Sequence, residues 1–261
     1  VHKVFVVPGH NTVNAHQYAS KISDIVNDST ECDLILAIGG DNAMLRAIHK
    51  TENPNDVPFL GLNAGSVGFL MNDDMPETAQ LFNELVSGSE LINLWMLEAE
   101  ITTTDGTTHN IHGFNDIYFT PDNGQSLKME LTIDDIHVDE TIIGDGFVCS
   151  TPQGSTGYNR AARGKIIRPG SPIIQLTPLS CTIGERRSIL DSFIESDTST
   201  FKIEFLDGAF RQPRVMFDGD VFETGCQLKS IKIKKSAKTV NLMFGADFNF
   251  YDKIYRLKFH Q

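Results

Sequence analysis

The stretch "LILAIGGDNAMLRAI", residues 34–48, decides the fold. The apolar run from Leu34 to Ile38 reads as a buried strand, Gly39-Gly40-Asp41 as a turn, and Met44, Leu45 and Ile48 as the apolar face of a helix. A strand that ends in glycines and passes straight into a helix is half of a parallel-sheet crossover. The pattern recurs on both sides. Lys3 to Val7 reads as a strand, followed by Ala15, Tyr18, Ala19, Ile22, Ile25 and Val26 on one helical face. Phe59 to Leu62 reads as a third strand, and Thr78, Ala79, Phe82, Leu85 and Val86 as a helix closed by Ser87-Gly88. This alternation predicts a parallel sheet with helices on its faces.

Past residue 90 the apolar period shortens to two. Trp95, Leu97, Ala99 and Ile101 alternate into Asp105-Gly106, and Met129, Leu131 and Ile133 into Asp134-Asp135, with Ile136 and Val138 returning. Phe201, Ile203 and Phe205 repeat the pattern, as do Leu228, Ile231 and Ile233, then Val240, Leu242 and Phe244. Such alternation, broken by frequent turns, predicts an antiparallel, sandwich-like domain. Asp247 to Phe259 returns to roughly helical spacing. The expected organisation is an α/β domain over 1–90, a β-rich domain over 91–244, and a tail over 245–261 packing back on the first.

The chain has 261 residues and a net charge of −12, which argues against nucleic acid or an anionic membrane as its main partner. Cys32, Cys149, Cys181 and Cys226 show no C-x-x-C spacing and are expected to be buried single thiols. No charged-then-apolar leader opens the sequence, and no run approaches the ~18 apolar residues of a membrane span. A reducing, cytoplasmic setting is the expectation.

Ligands on open α/β sheets sit beyond the carboxyl ends of the strands. Two glycine turns meet that condition: Gly39-Gly40-Asp41, and the segment Gly61 to Gly68. Neither is a P-loop or G-x-G-x-x-G. Gly39 and Gly40 let backbone N–H groups approach an anion, and the helix start adds partial positive charge. A carboxylate there repels phosphate, so Asp41 is either a general base for an attacking hydroxyl or simply the helix cap. In "GDGFVCSTPQGSTGYNRAARG", residues 144–164, Ser155 and Thr156 are candidate donors to phosphate or ribose, and Tyr158 a flat face for a base. Its bland alternative is a capped helix with a solvated face of Arg160, Arg163, Lys165 and Arg168. Asn115 and Asp116 interrupt an apolar strand, which is costly unless they bond something. "FDGD" at 217–220 reads as a hairpin turn, and His109-x-x-His112 lacks a third metal ligand.

In order along the chain, "GGDNA" at 39–43, "GLNAGSVGFL" at 61–70, "FND" at 114–116, "STPQGSTGYNRAARG" at 150–164, "PIIQLTPLS" at 172–180 and "DGD" at 218–220 resemble the NAD kinase family. The long Thr-Pro-x-Gly-Ser-Thr-x-Tyr segment makes that resemblance specific. It implies a Rossmann-like α/β domain followed by a β-sandwich-like domain, with the C-terminal tail returning to the first. It also implies transfer of a phosphoryl group from ATP or polyphosphate to the 2′-hydroxyl of the adenosine ribose of NAD. By the resemblance Asp41 is the base, Gly39 and Gly40 form the phosphate loop, and NAD meets Asp41, Asn42, Phe69, Asn115, Asp116, Asp145, Ser155, Thr156, Gly157, Tyr158 and Ala161. Mg²⁺ carried largely on the phosphates is implied, with no assigned protein ligand, as is a homotetramer or homodimer.

Three departures from the family pattern, at four positions, stand out. Asn42 and Ala43 follow the aspartate where glycine and often a hydroxyl are usual, Asp116 replaces a glutamate, and Gly157 an alanine. A glycine after the aspartate serves either a positive φ, which Asn tolerates, or close approach of phosphate, which a side chain obstructs. Two other functions stay open: a dinucleotide-binding protein without turnover, and a lipid kinase, which the acidic charge disfavours.

Overall fold

The computed structural model describes all residues except 1, 11, 13, 139–140, 185–187, 209 and 260–261, and only the backbone of 258–259. The chain divides into two compact units, Val1–Leu94 with Lys238–Gln261, and Trp95–Ala237.

The first unit alternates strands and helices: β1 (Lys3–Pro8), α1 (Ala15–Ile22), β2 (Asp24–Val26), β3 (Leu34–Gly39), α2 (Asp41–Lys50), β4 (Pro58–Asn63) and α3 (Ala79–Gly88). All six residues of β3 are buried, as its unbroken apolar run requires of a strand covered on both faces. β3 lies parallel between β1 and β4, in a register that sets Ile38 opposite Leu62 and Gly39 opposite Asn63. The two glycine turns therefore emerge side by side. One helix is shorter than its apolar face suggests. α1 ends at Ile22, Ser23 is extended with φ −152° and ψ 169°, and Asp24–Val26 pairs with β1. The β-branched Ile25 and Val26 join the sheet edge instead, helped by the Asp24 N–H, which donates to the His2 carbonyl.

Unit two is built from β5 (Glu90–Thr103), β6 (Thr108–Gly113), β7 (Asp116–Pro121), β8 (Leu127–Ile133), β9 (Ile136–His137), β10 (Ile142–Gly144) and β11 (Phe147–Ser150). The short helix α4 (Tyr158–Ala161) follows, then β12 (Ile173–Pro178), β13 (Thr182–Ile183), β14 (Ser188–Ile189), β15 (Phe193–Ser196), β16 (Phe201–Leu206), β17 (Pro213–Phe217), β18 (Asp220–Val221) and β19 (Leu228–Phe244). β5 starts and β19 ends in the first unit, where Asn241–Met243 runs parallel to Pro58–Leu60 of β4. Within unit two, one antiparallel sheet contains β10, β8, β16 and β19, and another runs β15-β12-β11-β7-β17-β18. Inward residues from both, among them Leu97, Phe119, Met129, Phe147, Leu176, Phe201, Ile203 and Ile231, form one buried core. That is a β-sandwich, reached by the period-two alternation. The last helix, α5 (Phe250–Phe259), belongs to the first unit.

The cysteines do not all follow the expectation of burial. Cys149 and Cys181 are buried, but Cys32 is half-buried and Cys226 exposed, with its thiol donating to Asp105 Oδ2 at 3.3 Å. Single residues in turns carry no periodicity from which burial could be read.

Candidate functional site

The candidate residues fall into two groups, one in each unit. In the first, the positive φ of Gly39, 152°, lets the chain leave β3 sharply, and a Cβ there would lie 3.0 Å from the Gly9 Cα and 3.1 Å from the Ala43 Cβ. Gly40 occupies the N-cap position of α2 without a side-chain cap. Asp41 is already inside the helix, and its carboxylate points elsewhere. Oδ2 accepts from the Phe69 N–H at 3.0 Å and Oδ1 from the Leu70 N–H at 2.7 Å. The cap alternative therefore fails, because the carboxylate grips the neighbouring turn rather than α2's own N–H groups.

Burial pushes the Asp41 carboxyl pKa up, opposed by the Leu70 and Phe69 N–H groups and by the charge of Lys253. The result is a carboxylate that is a better proton acceptor than a free one. Asn42 is exposed in the first turn of α2 and is not among the positive-φ residues, so this position demands no left-handed backbone. Ala43 is 1% exposed, packed beneath the turn. Phe69 is buried with its ring 5.8 Å from that of Phe250; it serves Asp41 through its N–H, not through an open ring face.

The turn that holds Asp41 is itself held by polar side chains that no periodicity marks. Gly68 has φ 63°, and a Cβ there would come within 2.7 Å of the Asn63 side chain. Asn63 Nδ2 donates to the Val67 carbonyl at 3.1 Å and to Asp73 Oδ1 at 3.0 Å, while its Oδ1 accepts from the Gly65 N–H. Buried Asn72 donates to the Gly61 and Met243 carbonyls, each at 3.0 Å, and accepts from the Gly245 N–H at 2.7 Å. Lys253 of α5 reaches the same turn.

In the second unit Asn115 and Asp116 do not sit in the middle of a strand. Phe114 and Asn115 form the bend between β6 and β7, and Asp116 opens β7. The bend is tied by Asp218, whose Oδ2 accepts from the Phe114 N–H at 2.6 Å and whose Oδ1 accepts from the N–H groups of Asn115 and Asp116 at 2.7 and 3.1 Å. Asp218 and Gly219, with φ of 50° and 92°, turn the chain from β17 to β18, so "FDGD" is a hairpin turn with a second task. The Asn115 Oδ1 is buried without a partner, an acceptor open to a ligand. Burial and then the charge of Asp218 push the Asp116 carboxyl up to about 8.

A cavity of about 750 Å³ brings together Asp145, Tyr158 and Ala161, with Thr120, Arg163 and Asp191 also on its walls. Tyr158 is 38% exposed and meets the Tyr118 ring edge-on at 4.7 Å. Thr156 and Gly157 occupy the turn leading into α4. Ser155 does not offer the donor expected of it. Fully buried, its Oγ donates to the Pro152 carbonyl at 2.6 Å and accepts from the Ile167 N–H at 2.8 Å. Asn159, also fully buried, ties α4 to β12 by accepting from Thr177 Oγ1 at 2.6 Å. Of the basic run, Arg163, Lys165 and Arg168 are exposed.

An α/β unit with a carboxylate clamped between glycine turns, joined to a β-sandwich with a hydroxyl-bearing turn beside a cavity, defines a class of two-unit proteins whose sites lie on loops. The chain belongs to the NAD kinase family: the family patterns for the ATP-NAD kinase N-terminal and C-terminal domains match residues 9–90 and 114–243. It is 30% identical over 237 residues to the NAD kinase of Rickettsia bellii, covering 89% of this chain and 88% of that one. The NAD kinase of Finegoldia magna is 34% identical over 191 residues, 70% of this chain and 68% of that one. With the NAD kinase of Rhizorhabdus wittichii the match, 34% identical, spans 57% of each chain. Two solved structures share the fold. The crystal structure of yeast NADH kinase complexed with NADH has a TM-score of 0.83 at 18% identity, covering 99% of this chain and 87% of that one. The NAD kinase of Archaeoglobus fulgidus in complex with ATP has a TM-score of 0.77 at 19% identity, covering 98% of each.

Proposed function

We propose that this chain is a NAD kinase, transferring a phosphoryl group from ATP or polyphosphate to the 2′-hydroxyl of the adenosine ribose of NAD to give NADP. The observation that carries the reading is the Asp41 carboxylate, clamped by the Phe69 and Leu70 N–H groups with its pKa raised. Each oxygen keeps a lone pair beyond its one N–H bond, free to accept a hydroxyl proton. As the hydroxyl oxygen bonds to the terminal phosphorus, its proton passes to Asp41. The bond from that phosphorus to the bridging oxygen breaks, and ADP or the shortened polyphosphate leaves. Gly39, Gly40 and the N-terminus of α2 receive phosphate oxygens.

In this reading Asn115, Asp116, Asp145, Thr156, Gly157, Tyr158 and Ala161 hold the dinucleotide, with Asn42 and Phe69 contributing near Asp41. Among the described residues no three His, Cys, Asp or Glu side chains gather as a metal group. Mg²⁺ carried on the donor phosphates supplies charge neutralisation. A homodimer or homotetramer working in the cytoplasm completes the reading. Among the described residues no helix is long and apolar enough to cross a membrane. The test is incubation with NAD, Mg²⁺ and either ATP or polyphosphate. NADP is the expected product; bound NAD that stays unphosphorylated makes the chain a dinucleotide-binding protein instead.

A further inference from the structure

Lys253 is 1% exposed, and an ammonium taken out of water is costly unless every N–H finds an acceptor. Here three do. Nζ donates to the Val67 carbonyl at 3.2 Å, the Met71 carbonyl at 3.0 Å and Asp73 Oδ1 at 2.6 Å. Val67 and Met71 bracket Phe69 and Leu70, the two residues whose N–H groups hold Asp41. One side of this five-residue bend thus faces the lysine and the other faces the carboxylate. The charged groups at this spot are Asp41 from α2, Asp73 from the turn, and Lys253 and Arg256 from α5, with Arg256 bonded to Asp73 at 2.8 Å.

We propose that Lys253 is a positioning residue for phosphoryl transfer: from the C-terminal helix it fixes the 67–71 bend that orients Asp41, and its charge favours the ionised base. The proposal rests on Asp41 being the general base. A helix used only as a lid for the sheet needs apolar contacts, not a buried ammonium aimed at backbone carbonyls. Lys253 acts through the bend and touches no substrate.

The test measures kcat and KM against pH for four proteins: the parent, Asp41→Asn, Lys253→Met and Asp73→Asn. Lys253→Met removes the cation at nearly constant volume. Its kcat falls by about tenfold or more with KM for NAD changed by less than about threefold, and its acidic limb moves to higher pH, because Asp41 holds its proton more tightly. Asp73→Asn keeps an acceptor for Lys253 but leaves its charge less neutralised, so its acidic limb moves to lower pH. Asp73 is partly exposed, so this second variant stands even where Lys253→Met does not fold. Limbs that stay at the parental pH in the folded variants, with Asp41→Asn inactive, overturn the role of Lys253 alone. Near-parental turnover by Asp41→Asn overturns that role together with the assignment of the base.

Discussion

At the scale of single residues, Asp41 meets two opposed demands. It must be desolvated enough to want a proton, yet held rigidly enough to take it from one place. Burial meets the first demand and the Phe69 and Leu70 N–H groups meet the second. Asp41→Asn is therefore expected to lower kcat by roughly 10²–10⁴-fold with little change in NAD affinity, measured by steady-state kinetics and calorimetry. Turnover in the parent should rise with pH through the Asp41 pKa, since only the ionised form is a base, and that limb should lie above the ordinary carboxylate range near ~3.9. The two unusual neighbours have unequal consequences. Asn42 is exposed and helical, so Asn42→Gly should change kcat/KM for the donor by no more than about tenfold, at a helix cost of up to about 1 kcal/mol. Ala43 is buried against Gly39, and Ala43→Thr should destabilise the fold by about 1–3 kcal/mol through overpacking, seen as a lowered denaturation midpoint. A parent inactive on NAD beside an active Asn42→Gly variant would mark the loop as a relic. The roles of Asn42 and Ala43 in helix α2 were half legible: the run to Ile48 announced a helix, but which of its first residues faces inward depends on packing against β1 and β3.

At the scale of elements, the bend before β7 shows how a turn distant in sequence supplies what a segment lacks. Three successive N–H groups, at Phe114, Asn115 and Asp116, point to one distant carboxylate, and Asp218 accepts all three. Asp-Gly at 218–219 is readable as a hairpin turn, since such a turn wants positive φ at both positions. Its reach across about a hundred residues to the bend is not readable, because no local pattern records a long-range contact. Asp218→Ala should therefore lower stability by about 2–4 kcal/mol, more than an ordinary hairpin substitution, as judged by denaturant melts. Asn115 behaves differently, because its Oδ1 has no partner to lose. Asn115→Ala should leave stability nearly unchanged and weaken NAD binding by about 1–3 kcal/mol in calorimetry. A drop in stability with unchanged NAD affinity would make Asn115 a structural residue.

At the scale of the whole molecule, the α/β and β-sandwich architecture was legible because both depend on periodicity, 3.6 over the helices and 2 along the strands. The polar ties were not. Lys253, Asn72 and Asn159 look like ordinary surface residues in the sequence, and only the fold reveals them as buried and bonded. β19 runs as one strand from one unit into the other, and its buried positions change phase across the exposed Lys234-Lys235, from Ile231 and Ile233 to Ser236, Val240 and Leu242, so the sequence reads there as two strands. Burying charge-capable groups also gives the molecule a global pH dependence, to which Asp116 contributes most visibly. Its folded pKa of about 8 exceeds the ~3.9 of an unfolded aspartate, so between those values the folded chain binds a proton that the unfolded chain has released. Its contribution to stability is complete below about pH 4 and is lost as pH rises toward 8. Asp116→Asn keeps the shape and removes the titration, so its stability relative to the parent should improve steadily from pH 5 to pH 8 in urea denaturation. The slope belongs to the pair, since the negative Asp218 beside it helps to keep Asp116 protonated. A stability difference between variant and parent that stays constant over that range would mean Asp116 is ionised in the fold despite its burial and its acidic neighbour.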